Sequence, residues 1–563
     1  MKILFYVNLV VIILSFLGCR NNSPVEKVSN VFERVKNETV FNLVKTKQRQ
    51  INGLNILDFK NEFNNNENLV FYSKSIIVLD KSREIEFRSS SNTPFAIFVN
   101  GLPQFVQPKQ RKFKFNEIAY DMFVFQDKFM LNFKKGKNTL LVKTAGGLKP
   151  KIFIRESAKP GTELKVKFGE WNFCKTNKTG NEKLVELNNN LQNLNWQKHK
   201  NLLQYSIEKP EERTYKREAY NEWTYSNGAA MFGLMNIYQY NGDDRIFNYV
   251  KQYCDFTLSS YGLLKDDYYE NNSLRCADYR MFRKSMLDDA GAAVLPFVSI
   301  YLKTKDDKYL PIIEEMSDYV VNGQVRLKDR TFCRPEPVKM TVWADDLFMS
   351  VPLLLRIAKI EKDTAFVEDA VHQIVNIHNY LWDEKAQLHK HAWFNNEKKQ
   401  SAVYWSRANG WIIWAITDAL NYIRKKNKNY KRIMNIYRKI IDGLIKYQDS
   451  KGLWHQVLNN TKSFEETSSS AMFTLAIASG VNNGWLPERY RSYAVKGWEG
   501  VSSKVSANGI VKDICRGTGI GYDEEFYMKR KRFPNDPRGL GAVFSCAVEV
   551  EKMIKRNKTK ILE

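Results

Sequence analysis

The stretch Met340-Thr-Val-Trp-Ala-Asp-Asp-Leu-Phe-Met-Ser-Val-Pro352 sets two adjacent carboxylates inside an aromatic and apolar run. An Asp surrounded by Trp343, Phe348 and Met349 must be paired, metal-bound or protonated, because an unpaired buried charge is strongly unfavourable. A protonated carboxyl is a general acid, and Asp345 is the first candidate for that role. A plainer reading competes: Asp345 or Asp346 caps a helix predicted from Leu347 to Lys359. The local sequence does not separate the two.

The elements that would position such an acid are legible as a weak repeat. Polar or small helix starts recur at Asn227, Asp288, Asp345, Arg407, Thr467 and Arg538, at intervals of 57 to 71 residues. That is the length of two helices with their connections. Small residues at these starts, such as Gly228-Ala-Ala and Gly291-Ala-Ala, predict helices packed closely around an axis. The reading is a mainly α chain whose residues 201–558 form six helical hairpins closed as an (α/α)6 barrel, since an open solenoid needs polar capping repeats. Parallel inner helices would bring Asn227, Asp288, Asp289, Asp345, Asp346, Arg407, Asn409, Thr467 and Arg538 to one mouth. Trp223, Tyr225, Trp343, Trp393, Trp405, Trp411 and Trp454 fall at the same level, where aromatic rings serve either for packing or for stacking on sugar faces.

Upstream, residues 67–160 alternate with period two and carry eight short β-rich runs, among them Leu69-Val-Phe-Tyr, Ile76-Ile-Val-Leu and Phe113-Lys-Phe, separated by turns such as Asn100-Gly101. An antiparallel β-sandwich preceding the barrel is predicted. Phe98-Val-Asn-Gly101 and Gly136-Lys-Asn-Thr-Leu-Leu-Val-Lys143 resemble the jelly-roll modules attached to many glycoside hydrolases, with either carbohydrate binding or a purely structural role. Residues 161–200, polar and rich in Asn and Lys, read as a linker. Residues 1–18 read as a secretory signal, and Phe16-Leu17-Gly18-Cys19 resembles a lipobox, which would make Cys19 the lipidated first residue and 19–66 a tether and lead-in. Arg20-Asn-Asn-Ser23 is not acidic, which favours a periplasm-facing protein.

The remaining cysteines, Cys174, Cys254, Cys276, Cys333, Cys515 and Cys546, form no Cys-x-x-Cys pair, which argues against a zinc or redox site. They read as core thiols, with one or two disulfides as the alternative in an exported protein. The formal net charge of +25 is spread over many lysines. For an exported chain an acidic polysaccharide or anionic cell surface fits that charge better than nucleic acid.

Taken together, Trp343-Ala-Asp-Asp-Leu-Phe-Met-Ser-Val-Pro, Trp405-Ser-Arg-Ala-Asn-Gly-Trp, Gly452-Leu-Trp-His-Gln-Val-Leu, Glu466-Thr-Ser-Ser-Ser-Ala-Met and Gly517-Thr-Gly-Ile-Gly resemble the unsaturated glucuronyl and rhamnogalacturonyl hydrolases. These are glycoside hydrolase families 88 and 105, with family 105 the closer match. The resemblance runs from about residue 215 to 555. It implies removal of a 4,5-unsaturated uronic acid from the non-reducing end of lyase-generated acidic oligosaccharides, by protonation at C4 and addition of water at C5; no metal-ligand spacing appears in the sequence, so no cofactor is expected. The same resemblance implies Asp345 as acid/base and a second catalytic Asp at Asp288 or its neighbour Asp289. It also implies substrate contacts from His391, Arg407, Trp411, Trp343, Trp223 and Tyr225. Some family members carry a His where this chain has Arg334, which is then a candidate for a substrate carboxylate or sulfate. The implied partners are an acidic oligosaccharide, no nucleic acid, and a membrane only through the lipid anchor. The implied location is the periplasm or outer-membrane surface of a Gram-negative bacterium. Two other readings stand beside this one: a glycan-binding surface lipoprotein with an inactive barrel, and an ordinary inverting (α/α)6 glycosidase.

Overall fold

The computed structural model describes residues 23–47, 53–63, 69–113, 125–145, 149–157, 163–179, 183–188, 190–199, 203–209, 219–271, 276–423 and 425–562. The expected signal segment and Cys19 lie outside them. The chain divides into two compact units. One joins Met1–Asn42, Ile207–Tyr261 and Lys284–Glu563; the other joins Leu43–Ser206 and Gly262–Arg283. The β-rich unit therefore interrupts the helical one rather than preceding it.

The reason is helix α1, Pro24–Asn37, in the stretch expected to be a tether. Ser23 and Glu26 form a capping box and Pro24 occupies the first turn, a strong start signal. Val28, Val31, Phe32 and Val35 are buried along one face, and that face packs on the last helix of the chain. The Val25 N–H also donates to Glu551 Oε2 at 2.8 Å.

Six helices of the helical unit follow the repeat, four starting within two residues of the expected positions and two three to six residues later, after a 3-10 turn: α2 (Tyr225–Asn241), α3 (Gly291–Thr304), α4 (Val351–Glu361), α5 (Ser406–Tyr422), α6 (Thr467–Asn482) and α7 (Pro537–Leu562). Each packs on the next in chain order, and α7 packs on α2. A second set, including Ala365–Leu381, Tyr430–Leu444 and Arg491–Ser503, packs against this ring. The N-terminal turns of the six are buried on nearly all sides, through residues 228–234, 291–298, 351–355, 408–416, 468–478 and 540–548, as buried helix segments require. Their spacing is set by missing side chains: a Cβ on Gly228 would overlap Ala292 O, and one on Gly291 would overlap Met349 O. Ring helices thus approach backbone to backbone near their N-termini.

Among the described residues the β-rich unit holds two larger antiparallel sheets and a two-stranded one that pairs Leu43–Lys47 with Leu203–Ile207. A six-stranded sheet runs in the order Gln197–Lys198, Asn172–Thr179, Leu69–Leu79, Gly136–Ala145, Phe95–Val99, Leu102–Gln107. A four-stranded sheet runs Asn55–Asp58, Lys151–Glu156, Arg83–Ser91, Asp127–Phe133. Phe71, Ile97 and Val142 from the first and Leu57, Phe87 and Ile152 from the second share one core, as in a sandwich. The stretch 161–200, expected as linker, supplies two strands and the buried Val166, Trp171, Phe173 and Cys174. The runs at Leu69 and Ile76 are one continuous strand, while most of the Phe113–Phe125 stretch lies outside the described residues. All six cysteines are buried and unbridged.

Candidate active site

Asp345 does not cap a helix. It opens a single 3-10 turn, Asp345–Leu347, with no side-chain cap, and α4 begins only at Val351. Its neighbourhood is set by a short β-ladder. Strand Thr341–Trp343 pairs antiparallel with Ala392–Phe394, Trp343 opposite Ala392, and the Ala344 N–H donates to His391 O at 3.0 Å. That register brings Asp345 and His391 side by side, with Asp345 Oδ2 3.2 Å from His391 Nε2.

His391 is fully buried. Its ring meets Trp343 edge to face at 5.3 Å and tilts against Trp405 at 4.6 Å, while Nδ1 lies 2.8 Å from the Tyr527 hydroxyl. Burial alone would push the Asp345 carboxyl up, but the His391 contact and the cations of Arg334 and Arg407 outweigh it and hold the group below its ordinary value. Asp345 is therefore paired and ionised in the free protein, not protonated as the expectation of a waiting acid implied. Burial pushes His391 down, against the pull of Asp345.

Beside this pair lies a second acidic cluster. Arg334 is buried and donates to Asp346 from Nε at 3.0 Å and Nη2 at 2.7 Å, and to Asp288 from Nη2 at 2.8 Å. Its guanidinium stacks over Trp343 at 4.1 Å, so one indole separates the two clusters. Two carboxylates share one cation here. Burial pushes Asp346 up to about 6 and raises Asp288 as well, with Arg334 offsetting only part of the cost.

Accessibility sorts the four aspartates. The side chains of Asp288 and Asp345 are 20% and 12% exposed, whereas that of Asp346 is closed off. Asp289 is buried and accepts from the Ser285 N–H at 2.9 Å and the Ser285 hydroxyl at 3.2 Å.

The profile of Glycosyl Hydrolase Family 88 matches residues 199–554. The chain belongs to that family. Among relatives of this family-88 chain is the unsaturated rhamnogalacturonyl hydrolase YesR of Bacillus subtilis (strain 168), 26% identical over 334 residues, covering 58% of this chain and 89% of the relative. An unsaturated 3S-rhamnoglycuronyl hydrolase of Formosa agariphila is 26% identical over 181 residues, covering 30% of this chain and 48% of that one. A solved structure of a possible family 105 member from Salmonella enterica serovar Paratyphi A superposes with a TM-score of 0.53 at 23% identity, covering 62% of this chain and 86% of that one.

Within the family-88 domain, several residues expected to touch substrate are otherwise engaged. Arg407, expected to clamp a carboxylate, is buried and donates to the backbone carbonyls of Cys515 and Arg516, the latter at 2.7 Å. It anchors the loop that carries Gly517-Thr-Gly-Ile-Gly. Trp411 is fully buried and stacks on Trp414 with the rings 8° apart. Trp223 is buried and donates from Nε1 to Asp289 O at 2.7 Å; it is core, not wall. Asp289 is held by Ser285, and Arg334, expected to meet a substrate carboxylate or sulfate, is a buried hub between Asp288 and Asp346. Trp343 is buried and donates to Thr341 Oγ1 at 2.9 Å. Tyr225 is half-buried, and its hydroxyl accepts from Arg538 Nε at 3.1 Å.

Tyr527 escaped the sequence reading. It sits 136 positions from His391, on the five-residue helix Glu524–Met528 capped by Asp523, and no spacing links the two. The only hint was its nearness to Gly517-Thr-Gly-Ile-Gly.

Proposed function

We propose that this family-88 protein hydrolyses lyase-generated acidic oligosaccharides by removing the 4,5-unsaturated uronic acid at the non-reducing end. The observation that carries the proposal is the Asp345–His391 pair, partly open to solvent inside a domain that matches the family over 199–554. The name of the Bacillus relative, an unsaturated rhamnogalacturonyl hydrolase, supports the substrate class.

In this reaction Asp345, protonated in the substrate complex, gives its proton to C4 of the enol ether. The double bond closes onto that proton and leaves an oxocarbenium centre at C5. Water adds at C5 and returns a proton to Asp345, and the resulting hemiketal opens, releasing the next sugar and an open-chain keto acid. The uronate carboxylate favours protonation of Asp345 when it arrives, because a like charge in a desolvated site raises a carboxyl pKa. Asp288, held by Arg334, keeps a second carboxylate beside the reacting ring to orient the water. Half-buried Tyr225 and the accessible edge of Asp288 supply polar contacts to the sugar.

The cyclic packing of α2 to α7 supports closure as an (α/α)6 barrel whose helix starts share one mouth, with α1 as an outer helix against α7. The lipobox-like Gly18-Cys19 supports export and lipid anchoring at Cys19, facing the periplasm or the outer surface of a Gram-negative cell. Because α1 begins at Pro24, the tether from Cys19 to the helical unit is only Arg20 to Ser23.

The test follows the ultraviolet absorbance of the 4,5-double bond during incubation with lyase products of pectic, glycosaminoglycan and ulvan type. Loss of absorbance with the wild type but not with Asp345→Asn is expected. An unchanged band on every product removes the proposal and returns the glycan-binding and ordinary glycosidase readings.

A further inference from the structure

The Tyr527 hydroxyl resolves a question that the Asp345–His391 contact leaves open: which imidazole nitrogen carries the proton. Tyr527 Oη accepts the Gly521 N–H at 3.1 Å. It has a single hydrogen of its own, and among the described residues the acceptor within reach of that hydrogen is His391 Nδ1 at 2.8 Å. Nδ1 is then an acceptor and carries no proton. A neutral ring must hold its hydrogen on Nε2, which faces Asp345 Oδ2 at 3.2 Å. The relay runs from Gly521 N–H to Tyr527 Oη and from Tyr527 O–H to His391 Nδ1; on the far side of the ring Nε2 lies 3.2 Å from Asp345 Oδ2, within ion-pair reach, with neither atom completing a hydrogen bond in the free protein.

We propose that Tyr527 is a positioning residue for the acid/base: by donating to Nδ1 it fixes the His391 tautomer that presents Nε2–H to Asp345, and it ties that tautomer to the loop carrying Gly521. The inference rests on the hydration reaction proposed above. Tyr527 touches no reacting atom; it acts through His391. Burial keeps its phenol protonated by pushing the group up, so the donor is present across the working range. The charged groups facing the relay are Asp345 itself, Arg334 across Trp343, Arg407 against Trp405, and Arg530 on the Tyr527 side.

Without the phenol, His391 is free to move its proton to Nδ1 and to turn a lone pair on the carboxyl. That tautomer accepts from protonated Asp345 instead of donating to its anion, so the carboxyl keeps its proton to higher pH but holds it toward the imidazole. Tyr527→Phe is therefore expected to lower kcat roughly tenfold with KM nearly unchanged, and to shift the alkaline limb of kcat upward by about one pH unit. A purely structural role would lower the melting temperature without moving the limb.

The second measurement needs no variant. In the 15N spectrum of histidine-labelled wild type, the six histidines are resolved and His391 is assigned by its loss in His391→Gln. A neutral ring protonated on Nε2 is expected. An Nδ1-protonated ring or an imidazolium at neutral pH overturns the inference, as does a Tyr527→Phe enzyme with unchanged kcat and unchanged limb. Failure of the wild type to discharge the double bond would remove the proposed reaction instead, while the tautomer measurement would still report on Tyr527.

Discussion

Asp345 and Asp288 occupy similar local structure and opposite electrostatic settings. Each lies in a lone 3-10 turn ahead of a ring helix, and each turn leads to a residue with nearly the same broken backbone, φ −127°, ψ −56° at Ala290 and φ −126°, ψ −53° at Ser350. Asp345 faces a histidine and is held ionised. Asp288 shares Arg334 with Asp346 and is pushed toward its neutral form. One carboxylate is thus set against a group able to exchange a proton, and the other is locked by a cation that is not. The same turn can set a carboxyl against a proton-exchanging partner or tie it to a cation, and the partner side chain decides which.

The comparison breaks most completely at the proton-exchanging member. Asp345→Asn should lower kcat about 1,000-fold, far more than its loss of the Asp345 ion pair lowers the melting temperature, as followed by double-bond absorbance and thermal unfolding. Asparagine keeps the shape and the His391 contact but cannot give or take the proton.

The locked cluster should fail differently. Arg334→Met leaves Asp288 and Asp346 buried without their cation and should cost about 3–5 kcal/mol of stability, read from denaturant midpoints. A triple change with Asp288→Asn and Asp346→Asn should recover most of it, because the cost belongs to the orphaned charges.

Acid titration sharpens the contrast through slopes of opposite sign. Asp346, raised to about 6 in the folded protein, takes up a proton on folding between about pH 4 and that value. Stability therefore falls as pH rises through this window, by up to about 1.4 kcal/mol per unit. Asp345, depressed below its ordinary value, contributes stability that is present above the unfolded carboxylate pKa and lost as pH falls through the folded one. Unfolding of Asp346→Asn across this range should lose the first slope and keep the second; Asp345→Asn should do the reverse.

The smallest effect marks the boundary of the site. Trp223→Phe removes the Nε1 bond to Asp289 O and should cost about 1 kcal/mol, with kcat unchanged. A large loss of kcat at this position would return Trp223 to the substrate wall.

Sequence periodicity and small-residue starts were enough to locate α2 to α7, because helices packed backbone to backbone require glycine and alanine at the contacts, and those residues stand in the chain at Gly228 and Gly291. Residue type and the family-like motifs marked Asp345, Asp288 and His391 as candidates, and the fold sets Asp345 3.2 Å from His391. The order of the units was not legible: α1 reads as polar tether until α7 offers the apolar surface that its valines bury. Nor was the division of labour among the arginines. Arg334 and Arg407 each have the chemistry to hold a carboxylate, but which partner a guanidinium meets depends on what the fold brings within about 3 Å, here Asp346 for one and the carbonyls of Cys515 and Arg516 for the other. The three-residue ladder that aligns Asp345 with His391, and Tyr527 arriving from the far end of the chain, have no periodic signature. The sequence by itself determined which side chains could exchange a proton; the tertiary structure decided which of them is partnered to do so, because protonation state is set by neighbours distant in the chain.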